Sequence, residues 1–271
     1  MEGRIINMDN IKKQIQIMND YTDDLTEYVD ALRRRAGDYN LDYFAELRRF
    51  PREVIDEQKI FYIGDATEML LPNYIDKVES FGVISPTNKR PIFHNRFVIP
   101  IMNEEGKVLN LVGYSKEANE RYVYGTAKYY RRRDTFYGME NIKLAYELGY
   151  MFVTEGITDT IRMRSLGYKN TFARCGTHGS DEMNTISNRM RYGIIRIPDH
   201  DKAGQTAAKK WECCRGITIN PFIAFKDIDS MCYESDEMCK IVKAYMDEAI
   251  RWITTTEHNG MQSENKVVSI V

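Results

Sequence analysis

From about residue 150 onward the chain alternates apolar, strand-length runs with polar, helix-length ones. "YMFVTE" reads as a strand, and "TDTIRMRSLG" as a helix closed by Gly167. "NTFARC" is a second strand. "SDEMNTISNRMR" is a helix with Ser180 as N-cap and acidic residues in its first turn. "YGIIRIPD" gives a third strand, "KAGQTAAKKWECC" a helix, and "ITINPFIAF" a fourth strand. Strands separated by single helices pair in parallel, with the helices on the sheet faces. Ligands of such sheets gather beyond the carboxyl ends of the strands. Residues 231–254 read as one closing helix, and the remaining polar stretch as a frayed end.

The chain before this point has a different texture. Residues 8–37 read as a helix, with Ile11, Ile15, Met18, Leu25, Val29 and Leu32 close to a 3.6-residue period and Gly37 as the stop. "LDYFAELRRFPREVIDEQKIFYIGDATEML" suggests short helices, one opened by Pro51. "RPIFHNRFVIPIMNEEGKVLNLVGYS" reads as two strands joined at Asn103-Glu104-Glu105-Gly106, a hairpin signal. "RYVYGTAKYYRRR" mixes aromatic and basic residues. A length of 271 residues suits one large domain or two smaller ones, and a net charge of −2 excludes nucleic-acid binding by total charge while leaving room for a local basic stripe. Apolar runs such as "FVIPIM" are too short to span a bilayer, so no membrane partner is expected. The 5 cysteines form no CxxC pair and the 4 histidines are scattered, so no zinc is expected. The odd cysteine count suggests a reducing, cytoplasmic setting.

The acidic residues fall in phase with the strands. Glu155 ends the first strand and is followed by Gly156, with Asp159 opening the next helix. Asp199 and Asp201 end the third strand, and "FKDIDSM" places Asp227 and Asp229 just after the fourth. Three clusters therefore meet at one sheet edge, and oxygen-rich ligation suits Mg²⁺ or Mn²⁺. Any one of these acids alone reads equally well as a helix cap, and Asp201 is placed to cap a helix starting near Ala203. The pair in "IIRIPDHDKAG" is self-repelling, which calls for a positive group between the carboxylates unless they form a solvated turn. Gly156 permits close backbone approach or an unusual φ, and Gly204 lets a helix start pack tightly. "RCGTHGS" offers a small polar loop suited to lie beside a phosphate.

The ordered set "TEGITD", "RCGT", "IPDHDKAG" and "KDID" resembles the Toprim domain shared by DnaG-type primases, type IA and II topoisomerases and some nucleases. Its glutamate-glycine pair, the aspartate four residues after the glutamate, and its aspartate-x-aspartate land on Glu155, Gly156, Asp159, Asp199 and Asp201. His200 stands where family members usually have glycine. Upstream, Asn95, Arg96, Lys128, Tyr129, Tyr137 and Gly138 are similar to the basic amino-terminal half of DnaG-type primases. The resemblance covers about residues 45–235 and implies an α/β fold, α+β overall: a Toprim parallel-sheet subdomain preceded by a smaller mixed α+β primase-type subdomain, with flanking helices. The expected boundaries are an amino-terminal helical segment at 1–40, the basic subdomain at 41–148, Toprim at 149–235, and a closing helix and tail at 236–271.

What the resemblance implies chemically is a DNA primase, a nucleotidyltransferase that makes RNA primers on single-stranded DNA by two-metal phosphoryl transfer. Glu155, Asp199 and Asp201 are the implied catalytic groups. Asp159, Asp227 and Asp229 join them as metal candidates, and Glu155 doubles as a candidate general base. Asn95, Arg96, Lys128, Tyr129, Arg131, Arg132 and Arg133 are the candidate nucleic-acid or nucleotide contacts. The implied partners are the DNA template, ribonucleoside triphosphates, a replicative helicase and a separate zinc-module protein. No zinc module or helicase-binding domain is recognisable in the sequence, which resembles a stripped catalytic core of the phage or plasmid kind. Two alternatives use the same residues: a Toprim-type metal-dependent nuclease or nicking enzyme, and a non-catalytic nucleic-acid-binding accessory protein.

Overall fold

The structure, a computed structural model, describes residues 8–38, 40–130, 135–174, 180–202, 204, 206, 209, 214–219, 224–255 and 267–268. They form two compact units, one drawn from residues 1–41 and 58–130, the other from 42–57 and 131–271.

In the first unit, helix α1 (Met8–Ala36) lies against a four-stranded antiparallel sheet. Its strands are β1 (Phe61–Ile63), β2 (Arg96–Met102), β3 (Val108–Tyr114) and β4 (Tyr122–Tyr124), in that spatial order. The periodic face of α1 buries Leu25, Tyr28, Val29 and Leu32 against Phe61, Val98 and Leu111. The amino-terminal part of the same stripe, Ile11, Ile15 and Met18, is exposed. Two tyrosines on the buried face satisfy their hydroxyls locally, Tyr21 donating to Ser80 O at 2.7 Å and Tyr28 to Met69 O at 2.7 Å. The helix ends at Gly37, whose φ of +59° is one that side chains rarely adopt. The β2–β3 hairpin closes as its sequence predicts. Asn103 Oδ1 accepts from the backbone N–H groups of Glu105 and Lys107, and Gly106 takes a φ of +75°.

The second unit begins with α2 (Leu41–Arg48) and α3 (Arg52–Glu57), the latter following Pro51. Then come β5 (Phe136–Tyr137), α4 (Ile142–Leu148), β6 (Tyr150–Thr154), α5 (Ile157–Ser165), β7 (Thr171–Arg174), α6 (Ser180–Arg189), β8 (Gly193–Ile197) and β9 (Gly216–Ile219). Helices α7 (Ile228–Glu234) and α8 (Asp236–Thr255) and the short β10 (Val267–Val268) complete it. The sheet order is β10-β9-β8-β6-β7-β5, parallel except for β5, which runs antiparallel to β7. Side chains alternate across it. Met151 and Val153 of β6 join one core with Ile142 and Met183, while Phe152 joins another with Ile195, Ile217 and Val242. Arg196 is fully buried and ties β8 to its neighbour, donating to Thr218 Oγ1 at 2.7 Å and to the carbonyls of Cys214 and Gly216 at 2.6 and 3.1 Å.

Three sequence expectations change here, the first being that the fourth strand ends at Ile219, since Ala224 and Phe225 of "ITINPFIAF" lie in a turn. The closing helix is two helices, because Ser235 is extended (φ −163°, ψ 163°) and its Oγ accepts from Met238 N at 3.2 Å, starting α8 afresh. The polar end contributes β10, which pairs in parallel with β9. Of "KAGQTAAKKWECC", Lys202, Gly204, Thr206 and Lys209 are helical, Cys214 is buried beyond the helix, and the other positions of that stretch lie outside the described residues, as do residues 175–179 of "RCGTHGS".

Candidate active site

The site of interest lies in the second unit and follows from strand register. Thr154 at the end of β6 pairs with Ala173 of β7 on one side and Ile197 of β8 on the other. The residues that follow, Glu155, Arg174 and Asp199, are therefore brought to one edge. The chain leaves β6 for β7 through α5 and returns across β6 to β8 through α6, so this edge is also the topological switch point where ligands of open α/β sheets bind. The β6–α5 turn is fixed by Thr154, whose buried Oγ1 bonds Thr160 Oγ1 at 2.8 Å and donates to Gly156 O at 3.1 Å.

Three carboxylates converge there. Asp159 in the first turn of α5, Asp199 after β8, and Asp227 at the N-cap of α7 place oxygen atoms within 4.8 Å of one another. Asp159 is buried, and burial plus the Asp227 and Asp199 charges push its pKa well above the ordinary value. Asp199 is raised as well, mainly by burial, against the pull of Lys226. Glu155 stands beside the triad, its Oε1 accepting from Asp199 N at 3.3 Å, and its pKa is pushed up to about 7 by burial and the Asp199 charge. Arg174, another desolvated group, opposes that rise. Three hard oxygen donors, one buried and two half-buried, match the donor set of a divalent cation such as Mg²⁺ or Mn²⁺.

The other two candidate acids make further contacts of their own. Asp229 is buried and ion-paired with both Arg48 and Arg162, the latter at 3.1 Å. What it offers the triad is its backbone, since Asp229 N donates to Asp159 Oδ1 at 3.1 Å. Asp201 accepts from Gly204 N at 2.8 Å, so its side chain caps the following helix. The positive group demanded by the Asp199/Asp201 pair is Lys226, with Nζ 3.1 Å from Asp199 Oδ2 and 3.7 Å from Asp201 Oδ2. Lys226, Arg48, Arg162 and Arg174 are the residues that sequence reasoning did not single out. For Lys226 the signal was its place at the head of "KDID".

Both glycines are required by close approach. Gly156 has an ordinary φ of −100°, but a Cβ there would lie 2.5 Å from Asp159 Oδ2. A Cβ on Gly204 would collide with the Asp199 carbonyl. The Asp159 carboxylate can rotate away, whereas the Asp199 backbone cannot move without β8. Gly156→Ala is therefore expected to leave stability within about 1 kcal/mol of wild type while Mn²⁺ affinity falls about tenfold, because a displaced carboxylate lowers affinity rather than stability. Denaturant unfolding and a Mn²⁺ titration on the same sample check both halves.

The basic candidates among the described residues are in the first unit. Asn95 is exposed, has a φ of +48°, and accepts from Tyr62 OH at 3.3 Å. Arg96 is largely buried, with Nη1 donating to Arg121 O at 3.2 Å, and burial lowers its pKa. Lys128 and Tyr129 are exposed side by side, the ammonium 5.2 Å from the ring centroid, and the ring meets Tyr21 edge-on at 4.9 Å. Arg131, Arg132 and Arg133 lie outside the described residues. Tyr137 and Gly138 belong to the second unit and act structurally: the Tyr137 ring lies under the Arg164 guanidinium at 5.5 Å, and Gly138 O accepts from Arg164 Nη2 at 3.2 Å.

Comparison with known proteins gives this arrangement a class. Residues 152–229 match the Toprim-like family, a segment that holds Glu155, the whole aspartate triad and Lys226. The fold as a whole is that of DnaG primase catalytic cores. It superimposes on a DnaG primase catalytic domain bound to ssDNA with a TM-score of 0.70 and 17% identity, over 89% of this chain and 84% of that one. It also superimposes on the E. coli primase catalytic core with a TM-score of 0.60 and 17% identity, over 90% and 82%. In sequence, the chain is 26% identical to the DNA primase of Staphylococcus aureus (strain MSSA476) over 121 residues, 44% of this chain and 20% of that protein. It is 25% identical to the DNA primase of Aquifex aeolicus (strain VF5) over 138 residues, 49% and 28%. The matched stretch thus spans 20% to 28% of those relatives' length. Among the described residues no helix is long and apolar enough to cross a membrane.

Proposed function

We propose that this chain is a DNA primase catalytic core, joining ribonucleotides on a single-stranded DNA template. The observation that carries the reading is the Asp159/Asp199/Asp227 cluster, with Asp159 buried and the other two half-buried, at the sheet's switch point in a chain whose fold follows DnaG catalytic cores. Asp159, Asp199 and Asp227 are the residues that would hold Mg²⁺ or Mn²⁺. Such ions compensate the charge of the attacking 3′-oxygen and the departing pyrophosphate when bound. Glu155, raised to about 7, is poised to exchange a proton near neutral pH, which suits it to accept the 3′-hydroxyl proton. Asp201 shapes the turn as a helix cap, and Asp229 positions Asp159 through its N–H.

Exposed Lys128 and Tyr129 supply a charge for phosphates and a face for stacked bases, and Asn95 a further polar contact. Arg96 contributes as a buried support of β2 more than as a free cation. Ribonucleoside triphosphates and template DNA are the proposed ligands, with a replicative helicase and a zinc-bearing module as proposed partners in the cytoplasm. The test is ribonucleotide incorporation on single-stranded DNA with Mg²⁺ or Mn²⁺, with and without the helicase. Oligoribonucleotides from wild type and at most a trace from Glu155→Gln are expected. Metal-dependent DNA cleavage without incorporation would replace this reading with the nuclease one.

A further inference from the structure

We propose that the Lys226 side chain is a tethered counter-cation of the acid site, which a divalent ion must displace from Asp199 in order to bind. The proposal rests on the reading of Asp159, Asp199 and Asp227 as a divalent-cation site. Its geometric basis is a shared ligand. Asp199 belongs to the triad, and its Oδ2 is already 3.1 Å from Lys226 Nζ, which also reaches Asp201 Oδ2 at 3.7 Å. An ammonium and a doubly charged ion on one carboxylate repel each other at close range.

The backbone around Lys226 keeps the ammonium local. His200, the residue between the two aspartates, donates its N–H to Lys226 O at 2.6 Å. On the other side Asp227 is locked as the N-cap of α7, its Oδ1 accepting from Ser230 N at 2.7 Å. The main chain of Lys226 is therefore held beside the acids whether or not its side chain touches them. The side chain itself is 58% exposed, so it can swing into water without disturbing the core. A cation fixed at its root and free at its tip neutralises repelling carboxylates when no ion is bound, and leaves when one arrives. This also gives "IPDHDKAG" a use for His200 that lies in its backbone.

The experiment is a Mn²⁺ titration of the 271-residue chain, following free Mn²⁺ by electron paramagnetic resonance, for wild type, Lys226→Met and Lys226→Arg. Removing a competing but solvent-screened cation is expected to tighten Mn²⁺ binding about tenfold in Lys226→Met, with Lys226→Arg within about twofold of wild type. Equal or weaker binding by Lys226→Met overturns the proposal. No binding by wild type or by either variant overturns the metal reading beneath it. A second measurement needs no variant: acetylation of lysines in wild type, read by mass spectrometry with exposed Lys143 as the internal reference. Saturating Mn²⁺ is expected to speed labelling of Lys226 at least threefold relative to Lys143, and unchanged labelling overturns the proposal.

Discussion

Asp159→Asn is expected to lower primer synthesis at least about 10³-fold, and at the same time to stabilise the metal-free protein by about 1–2 kcal/mol. The two effects share a cause. Asp159 is buried with two other carboxylates close by, and the arrangement is held in a state that burial and mutual repulsion disfavour. Asparagine has the same shape and keeps an oxygen to accept from Asp229 N, so the turn survives while the charge goes. Loss of the charge removes a metal ligand and relieves the repulsion together. Glu155 gives the same site a pH dependence. Its folded pKa of about 7 lies above the ordinary 4.5, so the fold favours its neutral form. That contribution is complete below pH 4.5 and is lost as pH rises through about 7. Metal-free wild type should therefore be more stable to urea at pH 5.5 than at pH 8. Mn²⁺ should stabilise it more at pH 8, because binding competes with protons. An Asp159→Asn variant that is less stable than wild type in chelator would mean the carboxylate is a structural cap, and full primer synthesis would remove it from the site.

The chemistry that could be read from the sequence was the part written at strand ends. Glu155 and Asp199 are legible because an apolar run, an acid and a helix start follow one another, and parallel pairing then superposes the two ends, whereas Asp227 lies eight residues beyond β9 and joins them from the N-cap of α7. The partners of those acids are a different matter. Arg48 sits on α2, far from Asp229 in sequence, and nothing in "ELRRF" marks which arginine turns inward. Asp229 reads as a ligand equal to Asp227 because spacing reports the backbone, while the choice between facing the triad and facing Arg162 is made by tertiary packing. Asp201 shows the reverse, since its capping reading and its metal reading were both written in "DHDKAG" and the bond to Gly204 N shows the first in use. The break at Ser235 was legible and missed. Its Ser-Asp-Glu run is the same N-terminal signature that marks α6 at Ser180. The continuous stripe along α1 promised one buried face, but burial needs a partner surface, and the sheet of the first unit meets only the stretch from Tyr21 onward.

Arg162→Met is expected to cost about 3–5 kcal/mol of stability, the range for removing one member of a buried ion pair. Arg162 is 3% exposed, and each of its three nitrogens donates: Nε to Asp229 at 3.1 Å, Nη1 to Arg49 O at 2.8 Å and Nη2 to Arg48 O at 2.5 Å. Its guanidinium also lies 4.5 Å from the Phe50 ring centroid. Two of those bonds satisfy carbonyls at the end of α2, where Arg49 holds a φ of +52° that a non-glycine residue adopts only when held there. Methionine replaces the volume and none of the bonds. It leaves Asp229 to Arg48 alone and both carbonyls without that donor. Because Asp229 N fixes Asp159 Oδ1, a relaxed Asp229 also loosens the triad, so Mn²⁺ affinity should fall several-fold under conditions where the variant is fully folded. Urea unfolding separates the two contributions. If the loss lies chiefly in the carboxylate left with Arg48 as its one ion-pair partner, the double variant Arg162→Met with Asp229→Asn recovers about half of it. If the lost carbonyl bonds of α2 dominate, the double variant is no more stable than the single one, and the buried pair is then a clamp on the α2 terminus before it is a support for the metal site.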